Sequence, residues 1–148
     1  MSKKLLIVCL LMGLILIFAA GVSAESSITI EDNNMMVGLD LPTVGWAISN
    51  EVGEITGYRG VNLGLGYSEK RYFDPMKYSS FNTYWGFGTI AIIMPYGEIG
   101  GDYAFARQSD GSFFTLGGRV GLVLPLVGVE EVDMPLLPMA GISLSYRF

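Results

Sequence analysis

Glu98 and Asp102 stand four residues apart in EIGGDYAFAR, while Arg119 and Arg147 occupy the later segments FFTLGGRVGLVL and GISLSYRF. Paired carboxylates are the equipment of acid–base hydrolysis, as in glycosidases. A second acidic set, Glu130, Glu131 and Asp133, offers oxygen ligands of the kind that hold calcium, though without an EF-hand pattern. A third cluster, EKRYFDPMKY, mixes Lys70, Arg71 and Lys77 with Tyr72, Phe73 and Tyr78, and cations flanked by aromatics suit phosphate groups or a partner surface.

The remaining composition removes most chemistry. The chain contains no histidine, which excludes Ser-His-Asp and Cys-His catalysis and histidine-ligated zinc. Its one cysteine, Cys9, lies in the apolar N-terminal stretch, so the chain beyond it has no disulfide and no thiolate metal site. No P-loop, dinucleotide fingerprint or zinc-ligand spacing is present. The carboxylates therefore read as structural, and the expectation is a protein without catalytic residues, cofactor or metal.

The elements that must position these residues are strands. In GVNLGLGYS, Val61, Leu63, Leu65 and Tyr67 alternate with Asn62, Gly64, Gly66 and Ser68. In FFTLGGRVGLVL, Phe114, Leu116, Val120, Leu122 and Leu124 oppose Thr115, Gly117, Arg119 and Gly121. EIGGDYAFAR sets Glu98, Gly100, Asp102 and Ala104 against Ile99, Tyr103 and Phe105. Period-two alternation places successive side chains on opposite faces of a sheet. One face is aliphatic and aromatic, and the other is glycine, serine, threonine and a few charges. Glycine at this density weakens an open, solvated sheet face. It suits a narrow interior that must be filled without bulk, with the apolar face turned outward to lipid.

The N-terminus carries the matching address. Lys3 and Lys4, an apolar run from Leu5 to Ala20 and the small-residue end Val22-Ser23-Ala24 follow signal-peptide grammar. The expected organisation is a cleaved signal peptide at 1–24, an N-terminal extension at 25–34 and a barrel at 35–148. Cleavage leaves seven basic and fourteen acidic residues, a net charge of −7, which disfavours nucleic-acid binding. Strands are predicted over 35–41, 44–50, 60–68, 80–94, 97–107, 113–124, 127–132 and 138–148, making eight, with six as the alternative. Four Pro-to-Gly segments, LPTVGW, MPYGEI, LPLVGV and LPMAGI, read as short connections. Longer polar connections are expected at 68–80, 108–112 and 129–135.

This pattern resembles the small outer-membrane β-barrels of Gram-negative-type envelopes. The resemblance rests on the signal peptide, the small-polar/apolar alternation and the ending GISLSYRF, whose Leu144, Tyr146 and Phe148 are similar to the C-terminal signal read by the barrel-assembly machinery. Ser143 departs from the glycine found at that position in many members. The fold class implied is all-β, a single antiparallel up-and-down transmembrane barrel of about eight strands in the cell outer membrane. Within it, Glu98, Asp102, Arg119 and Arg147 are expected to form a lumenal ion network, Asp102 lying near Arg119 across the hairpin about Ser109-Asp110-Gly111. Three functions remain open: a non-enzymatic barrel with a structural or surface-loop role, a small passive channel, and a soluble periplasmic ligand-binding barrel with its apolar face inward. Expected partners are outer-membrane lipid, the assembly machinery and, through Lys70, Arg71, Tyr72, Phe73 and Lys77, lipopolysaccharide or a surface partner.

Overall fold

The computed structural model describes residues 27–31, 33–62, 65–124 and 136–148. Its strands are β1 (Met35–Leu39), β2 (Val44–Ser49), β3 (Ile55–Val61), β4 (Tyr67–Tyr72), β5 (Phe81–Ile90), β6 (Met94–Phe105), β7 (Phe113–Val123) and β8 (Leu137–Arg147). Each pairs antiparallel with the next, and β8 returns to β1, so the sheet is a closed eight-stranded up-and-down barrel. The closing ladder sets Met36 opposite Arg147 and Leu39 opposite Leu144. Beyond it, Met35 and Phe148 exchange both backbone hydrogen bonds, at 2.8 and 3.0 Å.

The alternation sorts side chains as the small-polar/apolar pattern requires. Thr115, Ser143, Ser145 and Arg147 are buried inside, whereas Leu116, Val120, Leu122, Ile142 and Leu144 are exposed on the outside. Eight strands enclose an interior just wide enough for side chains to fill. Glycines give the largest of them room. A Cβ on Gly100 would stand 2.6 Å from the Tyr84 hydroxyl, and one on Gly86 would stand 3.0 Å from Glu98 Oε1.

The eight strands are not the eight segments expected. The stretch read as one strand over 60–68 contains a turn. Asn62 makes it: its Oδ1 accepts from the Gly66 amide at 3.0 Å, and its Nδ2 donates to Ser68 Oγ at 2.9 Å and the Thr89 carbonyl at 2.8 Å. An asparagine side chain that bonds backbone a few residues ahead competes directly with ladder pairing. The start of the polar connection expected at 68–80 is instead strand, since β4 runs over Tyr67–Tyr72. The segments 127–132 and 129–135 lie outside the described residues, as do Leu63, Gly64, Cys9 and the whole of the expected signal peptide at 1–24. Of the proline segments, Pro42 does stand in the β1–β2 connection, but Pro95 and Pro138 are the second residues of β6 and β8. There a missing amide costs least, near the start of a strand. Pro125 is outside the described residues.

One end of the barrel is covered by an apolar cap. The Ile28 amide donates to Met76, that of Met76 to Ile55, and that of Ile55 back to Ile28, at 2.8–2.9 Å. These three side chains, with Ala104 and Phe113, are buried against one another. The cap draws the N-terminal extension onto the barrel end where the chain enters and leaves it.

Candidate functional site

The interior is organised around charge. Arg147 Nη2 lies 3.1 Å from Asp102 Oδ2, Lys70 Nζ is 3.1 Å from the same oxygen and 2.5 Å from Asp40 Oδ2, and Arg119 Nη1 is 2.8 Å from Asp40 Oδ1. Arg119 Nε then reaches Glu98 Oε2 at 3.6 Å. Signs alternate along the whole path, Arg147–Asp102–Lys70–Asp40–Arg119–Glu98, and the six charges cancel. It runs from β8 through β6, β4 and the β1–β2 turn to β7 and back to β6, so it ties together strands that are not sheet neighbours.

Buried charge is tolerated only where pairing and hydrogen bonding are complete. Asp102 meets that demand: Tyr72 donates its hydroxyl at 2.7 Å and Ser143 at 3.2 Å, in addition to the two cations. The Arg147 guanidinium lies 4.2 Å from the Tyr58 ring centroid, and Lys70 Nζ lies 4.1 Å from that of Tyr84, so aromatic faces cover the sides of the cations that no carboxylate meets. Glu98 is the exception. Neither of its buried oxygens accepts a hydrogen bond among the described residues, and the long contact to Arg119 is its one ion pair there.

Each expected residue has a definite place. Glu98, Asp102, Arg119 and Arg147 all point inward, but Asp102 and Arg119 do not pair as expected. Their hairpin register sets Gly117 opposite Asp102 and Arg119 opposite Gly100, two residues off, and Arg119 turns instead to Asp40 and Glu98. Asp40 and Lys70 were not anticipated as members. The parity Met36, Gly38, Asp40 in the first strand would have pointed to the former. The latter was concealed because SEKRY carries charge at three successive positions.

The proposed loop cluster is not one cluster. Lys70 and Tyr72 are buried in the lumen rather than displayed in a loop, because strand parity turns them inward with Ser68. Arg71 lies on the outer face of β4, with its Nε 2.6 Å from Glu69. Phe73 is exposed just beyond the strand. Lys77 is half-buried, its backbone held by Asn82 at 2.8 and 2.9 Å and bridged to Ser27 of the cap. At the closing strand, Leu144 and Phe148 are exposed, and the Tyr146 ring packs between those of Phe114 and Phe148 at 4.9 and 5.6 Å. Glu130, Glu131 and Asp133 lie outside the described residues, and among the described residues no group of three or more acidic, histidine or cysteine side chains is placed to hold a metal.

What these features define is an eight-stranded antiparallel barrel with an ionic interior and an apolar exterior. Comparison of the chain with protein-family models, with curated proteins and with solved structures returns no match.

Proposed function

We propose that this chain is a non-enzymatic integral barrel of the cell outer membrane, with a structural or surface-interaction role. One observation carries the proposal: the wall is inverted relative to a water-soluble barrel. Lysine, arginine, aspartate and glutamate lie buried inside while Val37, Leu39, Trp46, Trp85, Phe87, Ile99 and Val120 stand exposed outside. A soluble ligand-binding barrel needs the opposite facing, with its apolar residues around the ligand. Apolar side chains on the outside find a favourable solvent in lipid, and polar ones inside satisfy one another.

The filled lumen favours the structural role over the passive channel. The alternating ion chain crosses it, and the apolar cap of Ile28, Ile55 and Met76 lies across one end. Extraction of the full chain decides the membrane reading: it should need detergent, resist a carbonate wash and migrate faster on gels before boiling than after. Release by carbonate alone would overturn it. Planar-bilayer recording then separates the two membrane roles, with a silent bilayer expected and steady conductance favouring the channel.

Leu144, Tyr146 and Phe148 are proposed to engage the barrel-assembly machinery. Phe148→Ala should lower the yield in the outer membrane while leaving export unchanged, and a normal yield would count against that assignment.

A further inference from the structure

Eight charged side chains lie within the strands of the described residues, and five of them point inward. The three that point outward, Arg59, Glu69 and Arg71, are not scattered around the wall. All stand on the neighbouring strands β3 and β4, with Arg59 directly opposite Glu69. Everywhere else the outer strand positions are aliphatic, aromatic, glycine, alanine, threonine or proline.

The patch does not neutralise itself. Glu69 is fully engaged, its Oε1 accepting from Arg71 Nε and its Oε2 from the Tyr67 hydroxyl, both at 2.6 Å. One carboxylate therefore faces two guanidiniums. The Arg59 guanidinium and the Nη atoms of Arg71 have no hydrogen-bond partner among the described residues. Both tryptophans of the chain border the patch: Trp46 pairs with Arg59 across β2–β3, and Trp85 with Arg71 across β4–β5. Their side chains are half-exposed, at 50% and 42%.

We propose that this face of β3–β4 binds the phosphate headgroup of an anionic membrane lipid. The inference rests on the membrane reading above. The arginine fork matches phosphate oxygens in a bidentate geometry, and a net cation in a lipid-facing wall demands an anion. Tryptophan favours the headgroup level of a bilayer, and Trp46 lies on β2, a strand of only six residues. Strand length brings that level to the patch. β3 and β4 have seven and six residues, fewer than the roughly 9–11 that cross a bilayer's hydrocarbon core. Arg59 is also only two residues from the end of its strand.

The two tryptophans make the test direct. The full chain is reconstituted in phosphatidylcholine vesicles containing a minor fraction of phosphatidylglycerol, with brominated acyl chains on one lipid at a time. Brominated phosphatidylglycerol should quench tryptophan emission about fivefold more strongly per mole, the enrichment that one net surface cation gives. Arg59→Gln with Arg71→Gln should bring the two lipids level, whereas Glu69→Gln should widen the difference. Inorganic phosphate in the buffer should leave the preference intact. Equal quenching by both lipids in the unaltered protein overturns the headgroup site alone, and loss of the preference on adding inorganic phosphate overturns its lipid source. Absence of quenching by either lipid overturns the membrane reading together with the site.

Discussion

The two halves of the barrel are built differently. β5 to β8 have ten, twelve, eleven and eleven residues, whereas β1 to β4 have five, six, seven and six. The long half has an outer face free of charge and ladders of ten or eleven paired residues. The short half carries the three outward charges, and its own ladders have at most six paired positions. The long half has the dimensions of a membrane-crossing wall, with strands of the roughly 9–11 residues that span a bilayer. The short half completes the cylinder and carries what distinguishes one side of it from the other. The interior ion chain joins them, since Lys70 and Asp40 come from the short half and the other four charges from the long half.

The largest expected effect comes from breaking that junction at its most connected atom. Asp102→Ala leaves Lys70 and Arg147 without their shared carboxylate and should cost about 3–5 kcal/mol, the usual penalty for stranding a buried charge. Urea titration followed by the gel shift of the folded barrel measures it, and a loss below that of an ordinary surface substitution would show that the halves hold together without it. Lys70→Met should cost less, about 1.5–3 kcal/mol, because Asp102 keeps Arg147 and Asp40 keeps Arg119. A larger loss in Lys70→Met than in Asp102→Ala would mean that Lys70, not Asp102, is the centre of the junction.

A paired substitution sharpens the contrast between inside and outside within the long half. Gly100→Val would drive a side chain into Tyr84 and should cost about 1–3 kcal/mol through overpacking. Gly97→Val, three residues earlier on the outer face, meets no atom within 4 Å and should change stability by less than about 0.5 kcal/mol. Reversal of that order would overturn the assignment of faces.

The smallest effect concerns a turn of the long half. In the β6–β7 connection, hydrogen bonds from the Ser112 hydroxyl and amide hold the Asp110 carboxyl below its ordinary value. A depressed carboxylate contributes stability that is present above the unfolded value, about 4, and is lost as pH falls through the lowered folded one. Acidification through that range should therefore lower the protection factor of the Ser112 amide, its exchange measured against the intrinsic rate at each pH, without unfolding the barrel, and Asp110→Asn should make the protection factor independent of pH there.

The long half was also the legible one. Its strands 81–90, 94–105, 113–123 and 137–147 lie within a few residues of the segments predicted from alternation, and the inward turn of Glu98, Asp102, Arg119 and Arg147 followed from the same parity. Small residues on one face and apolar residues on the other make a two-letter code that a strand reads unambiguously. β4 lacks that code. Tyr67, Ser68, Glu69, Lys70, Arg71 and Tyr72 are polar or amphipathic on both faces, so hydropathy gives no parity and the segment resembles a loop. The turn at Asn62 was concealed in the opposite way, because GVNLGLGYS continues the alternation straight through it. The ion partners of Arg119 depended on register and on distances across the lumen, which no local pattern contains.

The alternating chain also bears on the order in which such a cylinder can be put together. Glu98, Asp102, Arg119 and Arg147 make two anions and two cations, already coupled as Glu98 with Arg119 and Asp102 with Arg147. Asp40 and Lys70 make one of each and touch one another. Each half's share of the interior chain is electrically neutral by itself. A long sheet can therefore form with its charges matched, and the short one can arrive as a preformed couple that slots between them. Put together in that order, the interior never has to hold a lone charge.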